Sequence, residues 1–170
     1  MITTERLLLR KPSLEDAADL AVPYADPEVM RFIGDGSTAT LAELEAGIEQ
    51  WLERWESWGV SLCSLERRED GRVLGRAGFL RWDPETWQVG GDETEIGWLL
   101  AREHWGRGYA AEAALALRDW AFDDRGLRRL ISLIEPENVR SIRVAERLGE
   151  RYERDVEVRS KPTRLYSLER

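Results

Sequence analysis

The stretch that most constrains this chain runs from Glu95 to Ala121. Glu95-Ile96-Gly97-Trp98-Leu99-Leu100-Ala101 reads as a β-strand, and Ala113-Ala114-Leu115-Ala116-Leu117-Arg118-Asp119-Trp120-Ala121 is rich in strong helix formers. Between them lies Arg102-Glu103-His104-Trp105-Gly106-Arg107-Gly108-Tyr109-Ala110-Ala111-Glu112, so two glycines sit where a strand hands over to a helix. A turn there leaves the first N–H groups of the helix without intrahelical acceptors, at the positive end of its dipole. Glycine lets an anion come close to such backbone, and a phosphate is the natural occupant. The spacing is not the dinucleotide fingerprint, which needs a third glycine. Nor is it a Walker loop, since no Lys-Ser or Lys-Thr closes it.

The rest of the chain alternates short strands and helices. Arg6 to Lys11 reads as a strand, with Ser13 capping a helix over Leu14–Tyr24 whose apolar side is Leu14, Ala17, Ala18 and Ala21. A short helical turn follows at Glu28–Ile33. Thr40-Leu41-Ala42-Glu43 matches a capping box and opens a helix to about Trp58, closed by Gly59. Its stripe is Leu41, Leu44, Ile48, Trp51, Leu52 and Trp55. Val60–Arg67 and Val73–Trp82 flank the hairpin signal Asp70-Gly71, and Asp83–Asp92 reads as an irregular loop. Leu127–Ile134 is a buried strand. Asn138 opens a helix that Gly149 ends, and strands at Arg151–Val158 and Thr163–Leu168 complete one α+β domain over residues 1–170.

At a formal net charge of −8 the chain lacks the basic surplus of a nucleic-acid binder or anionic-membrane protein. Lysine occurs only at Lys11 and Lys161. No apolar run approaches the ~20 residues of a membrane span, and the N-terminus lacks the apolar block of a signal peptide. The lone Cys63 has neither a disulfide partner nor metal-ligand companions, and reads as a small core residue. A cytoplasmic enzyme with no metal is expected, as monomer or homodimer. His104 is expected to be exposed.

Trp105-Gly106-Arg107-Gly108-Tyr109-Ala110 resembles the pyrophosphate loop of the GCN5-related N-acetyltransferase (GNAT) superfamily, in its RimJ/RimL-type branch. The pattern there is Gln/Arg-x-x-Gly-x-Gly/Ala, with Trp105 replacing the first residue, Gly108 as the glycine and Ala110 as the last. Glu95-Ile96-Gly97-Trp98 on the entering strand, and Asn138-Val139-Arg140-Ser141 through Leu148-Gly149, are similar to two further family segments. The element order resembles the GNAT fold over essentially the whole chain. That implies a mixed, mostly antiparallel sheet flanked by helices on both faces.

The resemblance implies a site for acetyl-coenzyme A. Pantetheine would lie along free backbone groups of Trp98, Leu99 and Leu100, and the pyrophosphate on the amides of Gly106, Arg107, Gly108, Tyr109 and Ala110, with Arg107 adding charge. Asn138 would hold pantetheine from the far wall, a role compatible with a plain helix N-cap. An amine is mostly protonated at neutral pH and needs a base, for which Glu95 is the candidate. By alternation Glu95 shares a face with Glu93, and paired carboxylates raise one pKa. The N–H of Leu99 would face the developing oxyanion. Where many family members carry a tyrosine the chain has Ala145, so Ser141 is left to hydrogen-bond the departing thiolate. Phe32, Trp82 and Trp98 are candidates to hold the acceptor amine, with Trp58, Trp87 and Tyr24 as further aromatics. Transfer of a longer acyl group, or acyl-coenzyme A binding without catalysis, are the alternatives.

Overall fold

The computed structural model describes residues 1–82 and 93–170. The chain runs β1 (Ile2–Thr3), β2 (Leu7–Arg10), α1 (Ala17–Tyr24), α2 (Pro27–Met30), α3 (Leu41–Trp58), β3 (Leu62–Arg67), β4 (Val73–Arg81) and β5 (Thr94–Leu100). It continues as α4 (Tyr109–Asp123), β6 (Arg129–Ile134), α5 (Val139–Leu148), β7 (Arg151–Val158) and β8 (Lys161–Glu169). Among the described residues the strands form one eight-stranded sheet, in the order β1-β2-β3-β4-β5-β6-β8-β7. The loop expected at Asp83–Asp92, with Trp87, lies outside the described residues.

Every neighbouring pair is antiparallel except β5 and β6, which run parallel. Those two share one registered pair, Glu95 with Ile131, and diverge beyond it. Strand alternation then sorts the core onto two faces. Val73 and Leu99 pack with Leu20, Ile48 and Trp51 of α1 and α3. Their neighbours Leu74 and Leu100 pack on the other face with Ala113, Leu117 and Ala121 of α4. The fold is therefore α+β, a mostly antiparallel mixed sheet with helices on both faces.

Local chemistry sets the helix boundaries. At α3 the Thr40 N–H donates to Glu43 Oε2 (2.8 Å) and the Glu43 N–H to Thr40 Oγ1 (3.3 Å), while Gly59 stops the helix at φ +69°. Of the expected stripe Leu44, Ile48 and Trp51 are buried, Leu52 and Trp55 half-buried, and Leu41 exposed. The first helix differs more. Leu14–Asp16 forms a 3-10 turn before α1, which shifts the phase of the buried side to Ala17, Leu20 and Tyr24. Leu14 and Ala18 consequently face solvent. Asp16 is drawn inward instead, because Arg10 grips both its oxygens (2.7 and 2.8 Å) and Ser64 Oγ donates to it at 2.7 Å.

Candidate functional site

Divergence of β5 from β6 opens a cleft of about 630 Å³ between the end of β5, the glycine turn and the start of α5. Gly106 (φ +73°) and Gly108 (φ +84°) both take the left-handed conformation that favours glycine. The turn is bracketed by bonds from the Trp105 N–H to Arg102 O (3.1 Å) and from the Glu112 N–H to Gly108 O (3.0 Å). Between those two, the N–H groups of Gly106 through Ala111 have no acceptor among the described residues. Gly106, Gly108, Tyr109, Ala110 and Ala111 line the cleft, and a Cβ on Gly106 would meet nothing within 4 Å.

The turn is braced from behind. Glu112, in the first turn of α4, accepts from Thr4 Oγ1 (2.6 Å), from the Arg6 N–H (2.9 Å) and from Arg6 Nε (2.7 Å). Arg6 also donates to Arg107 O (2.9 Å) and lies 4.5 Å over the Tyr109 ring. Tyr109 thus offers the cleft its backbone while its ring is buried in the core, and Arg107 is exposed and does not line the cleft. The Trp105 indole donates to Leu100 O at 2.9 Å, and Arg140 stacks 4.3 Å over its ring. That bond takes one of the backbone groups expected to be free, since the Leu100 carbonyl is already occupied. It also gives the tryptophan a use: it ties the end of β5 to the start of α5.

His104 is buried rather than exposed, at 5 % accessibility. Its ring meets Tyr109 edge-on at 6.5 Å, its Nδ1 has no partner, and its Nε2 is 3.2 Å from Glu103. Burial lowers its pKa and favours the neutral ring. Opposite, Asn138 caps α5, its Oδ1 accepting from the Ser141 N–H at 3.2 Å, which leaves the amide nitrogen for the cleft. The Ser141 hydroxyl has no partner among the described residues. Ala145 is fully buried with Ile134 and Tyr166, so the position is core here and has no route to the cleft.

A second, smaller cavity of about 90 Å³ adjoins the first. Phe32, Ile33, Trp98, Asn138 and Ser141 line both, so the two communicate. Glu95 lies in the smaller one. Its Oε2 accepts from the Trp82 indole at 2.7 Å, which places Trp82 behind the carboxyl rather than on the wall of either cavity. Burial pushes the Glu95 pKa up to about 7, against the opposing pull of Trp82, Arg76 and the Leu133 N–H. Glu93 does not pair with it, being held 3.1 Å from Arg129. The carboxyl that Glu95 influences is Glu150, 3 % exposed, whose pKa burial raises to about 8. Neither Glu150 oxygen has a hydrogen-bond partner among the described residues, and Ser132 beside it donates to Ile96 O (3.1 Å) instead. Cys63 is a buried core residue, its thiol pushed up to about 12.

The family model described as an acetyltransferase (GNAT) domain matches residues 6–151. The chain belongs to the GNAT acetyltransferase family. Among its relatives, the uncharacterized protein YkkB of Bacillus subtilis is 36 % identical over 97 % of this chain and 93 % of its own. The uncharacterized N-acetyltransferase p20 of Bacillus licheniformis is 34 % identical over 86 % of this chain and 79 % of its own. A solved acetyltransferase from Agrobacterium tumefaciens superposes with a TM-score of 0.83 at 32 % identity, covering 99 % of this chain and 94 % of that one. The acetyltransferase MccE, solved with acetyl-CoA and AMP, shares the fold at 18 % identity (TM-score 0.80, 98 % of this chain and 94 % of that one). RimJ/RimL-type enzymes are among the structural neighbours. As a GNAT member the protein is an acyltransferase, and acetyl-CoA-dependent N-acetylation is the general reaction of the family.

The GNAT cleft also holds residues that sequence reasoning passed over. Arg140, Arg143 and Arg147 line it from α5. Their spacing of three and four residues puts them on one helix side, a signal legible in the sequence. Arg76 and Ile33 in the smaller cavity carried no such signal, since they come from strands and loops far apart in the chain.

Proposed function

We propose that this protein transfers an acetyl group from acetyl-coenzyme A to a primary amine by direct attack within a ternary complex. The observation that carries the reading is the row of unpaired N–H groups at the head of α4, opening on a cleft that leads to the Glu95 carboxyl. The fit to a coenzyme A rests on that same row and on the empty space in front of Gly106. The amides of Gly106 to Ala110 would hold the diphosphate at the positive helix end. Arg143 and Arg147 would add positive charge along the cleft. Trp98 and Leu99 would border the pantetheine arm and Asn138 would face it from α5. When bound, acetyl-coenzyme A supplies an activated thioester.

The remaining work falls to this chain. Glu95, titrating near 7, removes a proton from an ammonium entering the smaller cavity. Phe32 and Trp98 flank that entry, and Trp82 steers the carboxyl from behind. Alternation from the bond between the Ala101 N–H and Leu74 O commits the Leu99 N–H to Arg76 across β4–β5. The neighbouring Trp98 N–H, turned towards the cleft, therefore serves a developing oxyanion, and the free Ser141 hydroxyl donates to the departing sulfur. Thiol release from acetyl-coenzyme A across a panel of amines tests the reading. Dependence of release on an amine supports it. Faster turnover of succinyl-coenzyme A would move it to a longer acyl group, and tight acetyl-coenzyme A binding without release for any amine would overturn it.

A further inference from the structure

The smaller cavity contains a cation whose only part in the acetyl transfer described above is to oppose the rise of the Glu95 pKa. Arg76, in the middle of β4, is 7 % exposed, and its Nε donates to the Tyr24 hydroxyl at 2.7 Å. Its two terminal amino groups have no acceptor among the described residues, and it forms no ion pair there. The other charged groups of the cavity are engaged: Glu135 by Lys161 at 3.0 Å, Glu95 by Trp82. Beyond the Tyr24 hydroxyl, the charge of Arg76 is offset by the Tyr24 ring, 6.0 Å from the guanidinium carbon, and by Coulombic attraction to Glu95. A buried guanidinium so held is costly unless a directly bonded anion completes it. Tyr24 is itself anchored among Leu20, Ile48 and Trp51, with its ring 6.3 Å from that of Trp51, so Arg76 is aimed and not loose.

Strand register puts Arg76 and Glu95 on the same face. Arg76 lies opposite Leu99, Gly78 opposite Gly97 and Leu80 opposite Glu95. Between the two charged residues the sheet presents paired glycines, and a Cβ on Gly97 would meet nothing within 4 Å. The floor is therefore bare backbone with a proton acceptor at one end and a planar cation at the other. Amine and anion must then come from one small molecule, because the space is only about 90 Å³.

We propose that the acceptor is a free α-amino acid whose carboxylate is held by Arg76 while its amine faces Glu95. This rests on the acetyl-transfer reading and deepens it. The guanidinium fork matches a carboxylate through two parallel N–H donors, which an amide or a peptide bond cannot match in charge. A protein N-terminus, whose first carbonyl continues into a chain, would leave Arg76 unpaired.

The test is binding before turnover. The full-length protein, loaded with coenzyme A, is heated with each of the common L-amino acids and with the corresponding amino-acid amides. At least one free acid is expected to raise the unfolding midpoint while its amide does not, since selective ligands stabilise by mass action. In the acetyl-transfer assay that acid should exceed its amide at least about tenfold in kcat/KM, as a site built around a charged hydrogen bond discriminates strongly. Arg76→Gln should remove the acid's advantage through KM. Because Arg76 also opposes the rise of the Glu95 pKa, acid and amide are compared at pH 9, well above the value of about 7 at which Glu95 titrates. Tyr24→Phe, which keeps the ring packing but frees the guanidinium, should raise KM for the acid by a smaller factor. Equal stabilisation by acid and amide, or none by any acid, overturns the proposal, as does equal loss for both acceptors in Arg76→Gln. Selective binding of an acid without transfer would instead overturn the acetyl-transfer reading and leave the carboxylate site standing.

Discussion

The two cavities are built on opposite plans. The large cleft is made mainly of backbone: left-handed glycines, unpaired amides and a helix end, all within Trp105–Ala111 and braced by Arg6 and Glu112. The small cavity is made of side chains from separate elements, with Arg76 from β4, Glu95 from β5, Phe32 after α2 and Ser141 from α5. A backbone cradle reads a group common to every coenzyme A thioester and tolerates change in most side chains. A side-chain pocket reads one acceptor and is altered by single substitutions. The comparison predicts that damage to the cleft appears as lost cofactor affinity, and damage to the pocket as lost turnover or altered acceptor choice.

The largest effect should come from Glu95→Gln. Removal of a general base costs about 10²–10⁴ in kcat, while the acetyl-coenzyme A dissociation constant should hold within about twofold. In the unaltered protein the base must be deprotonated, and its pKa is raised to about 7. Activity should accordingly climb with pH through about 7 and level off above, and that limb should vanish in the variant. A surviving limb would assign it to another group. Gly108→Asp comes next. Its φ of +84° strains a side chain, and the new carboxylate would sit where an anion is to bind. Acetyl-coenzyme A affinity should fall about 100-fold by calorimetry. Unchanged affinity would remove the phosphate assignment and with it the contrast between the two sites.

Arg143→Ala combined with Arg147→Ala should do less, since both side chains are exposed and screened by solvent. A loss of roughly tenfold in acetyl-coenzyme A affinity at low salt, shrinking as salt rises, is expected. Equal loss at all salt concentrations would mean that the pair acts by packing against the cleft rather than by charge.

The difference between the sites also explains what the sequence made legible. The glycine turn, its helix and the Asn138 cap are local: a strand, two glycines and a run of helix formers fix them within some thirty residues. The fold followed from the same local punctuation, down to the capping box at Thr40. The phase of α1 was misjudged because Asp16 turns inward for Arg10 and Ser64, partners that only tertiary packing supplies. His104 was misjudged for the same reason, as its ring is covered once Tyr109 folds into the core. The placement of Arg76 and Glu95 on one face, on either side of Gly78 and Gly97, depends on β4–β5 register, which periodicity alone leaves open. Trp82, expected beside the acceptor, donates its indole N–H to Glu95 and lines neither cavity.

That last placement gives the smallest and most discriminating prediction. The Trp82 indole N–H stabilises the charged form of Glu95, and so holds its pKa below the level that burial alone would set. Trp82→Phe keeps an aromatic ring but removes the donor. The carboxyl should then hold its proton to higher pH, moving the ascending limb of the rate profile upward. A hydrogen bond to a charged group contributes about 1.5–3 kcal/mol, so a shift of about one to two units is the expected scale. At pH 7 the variant should be several-fold slower, whereas at pH 9 it should approach the parent rate because both enzymes are then deprotonated. Were Trp82 a wall of the acceptor pocket instead, the loss would appear in KM and persist at every pH. A pH-independent rise in KM would therefore return Trp82 to the substrate and leave Glu95 without its positioning partner.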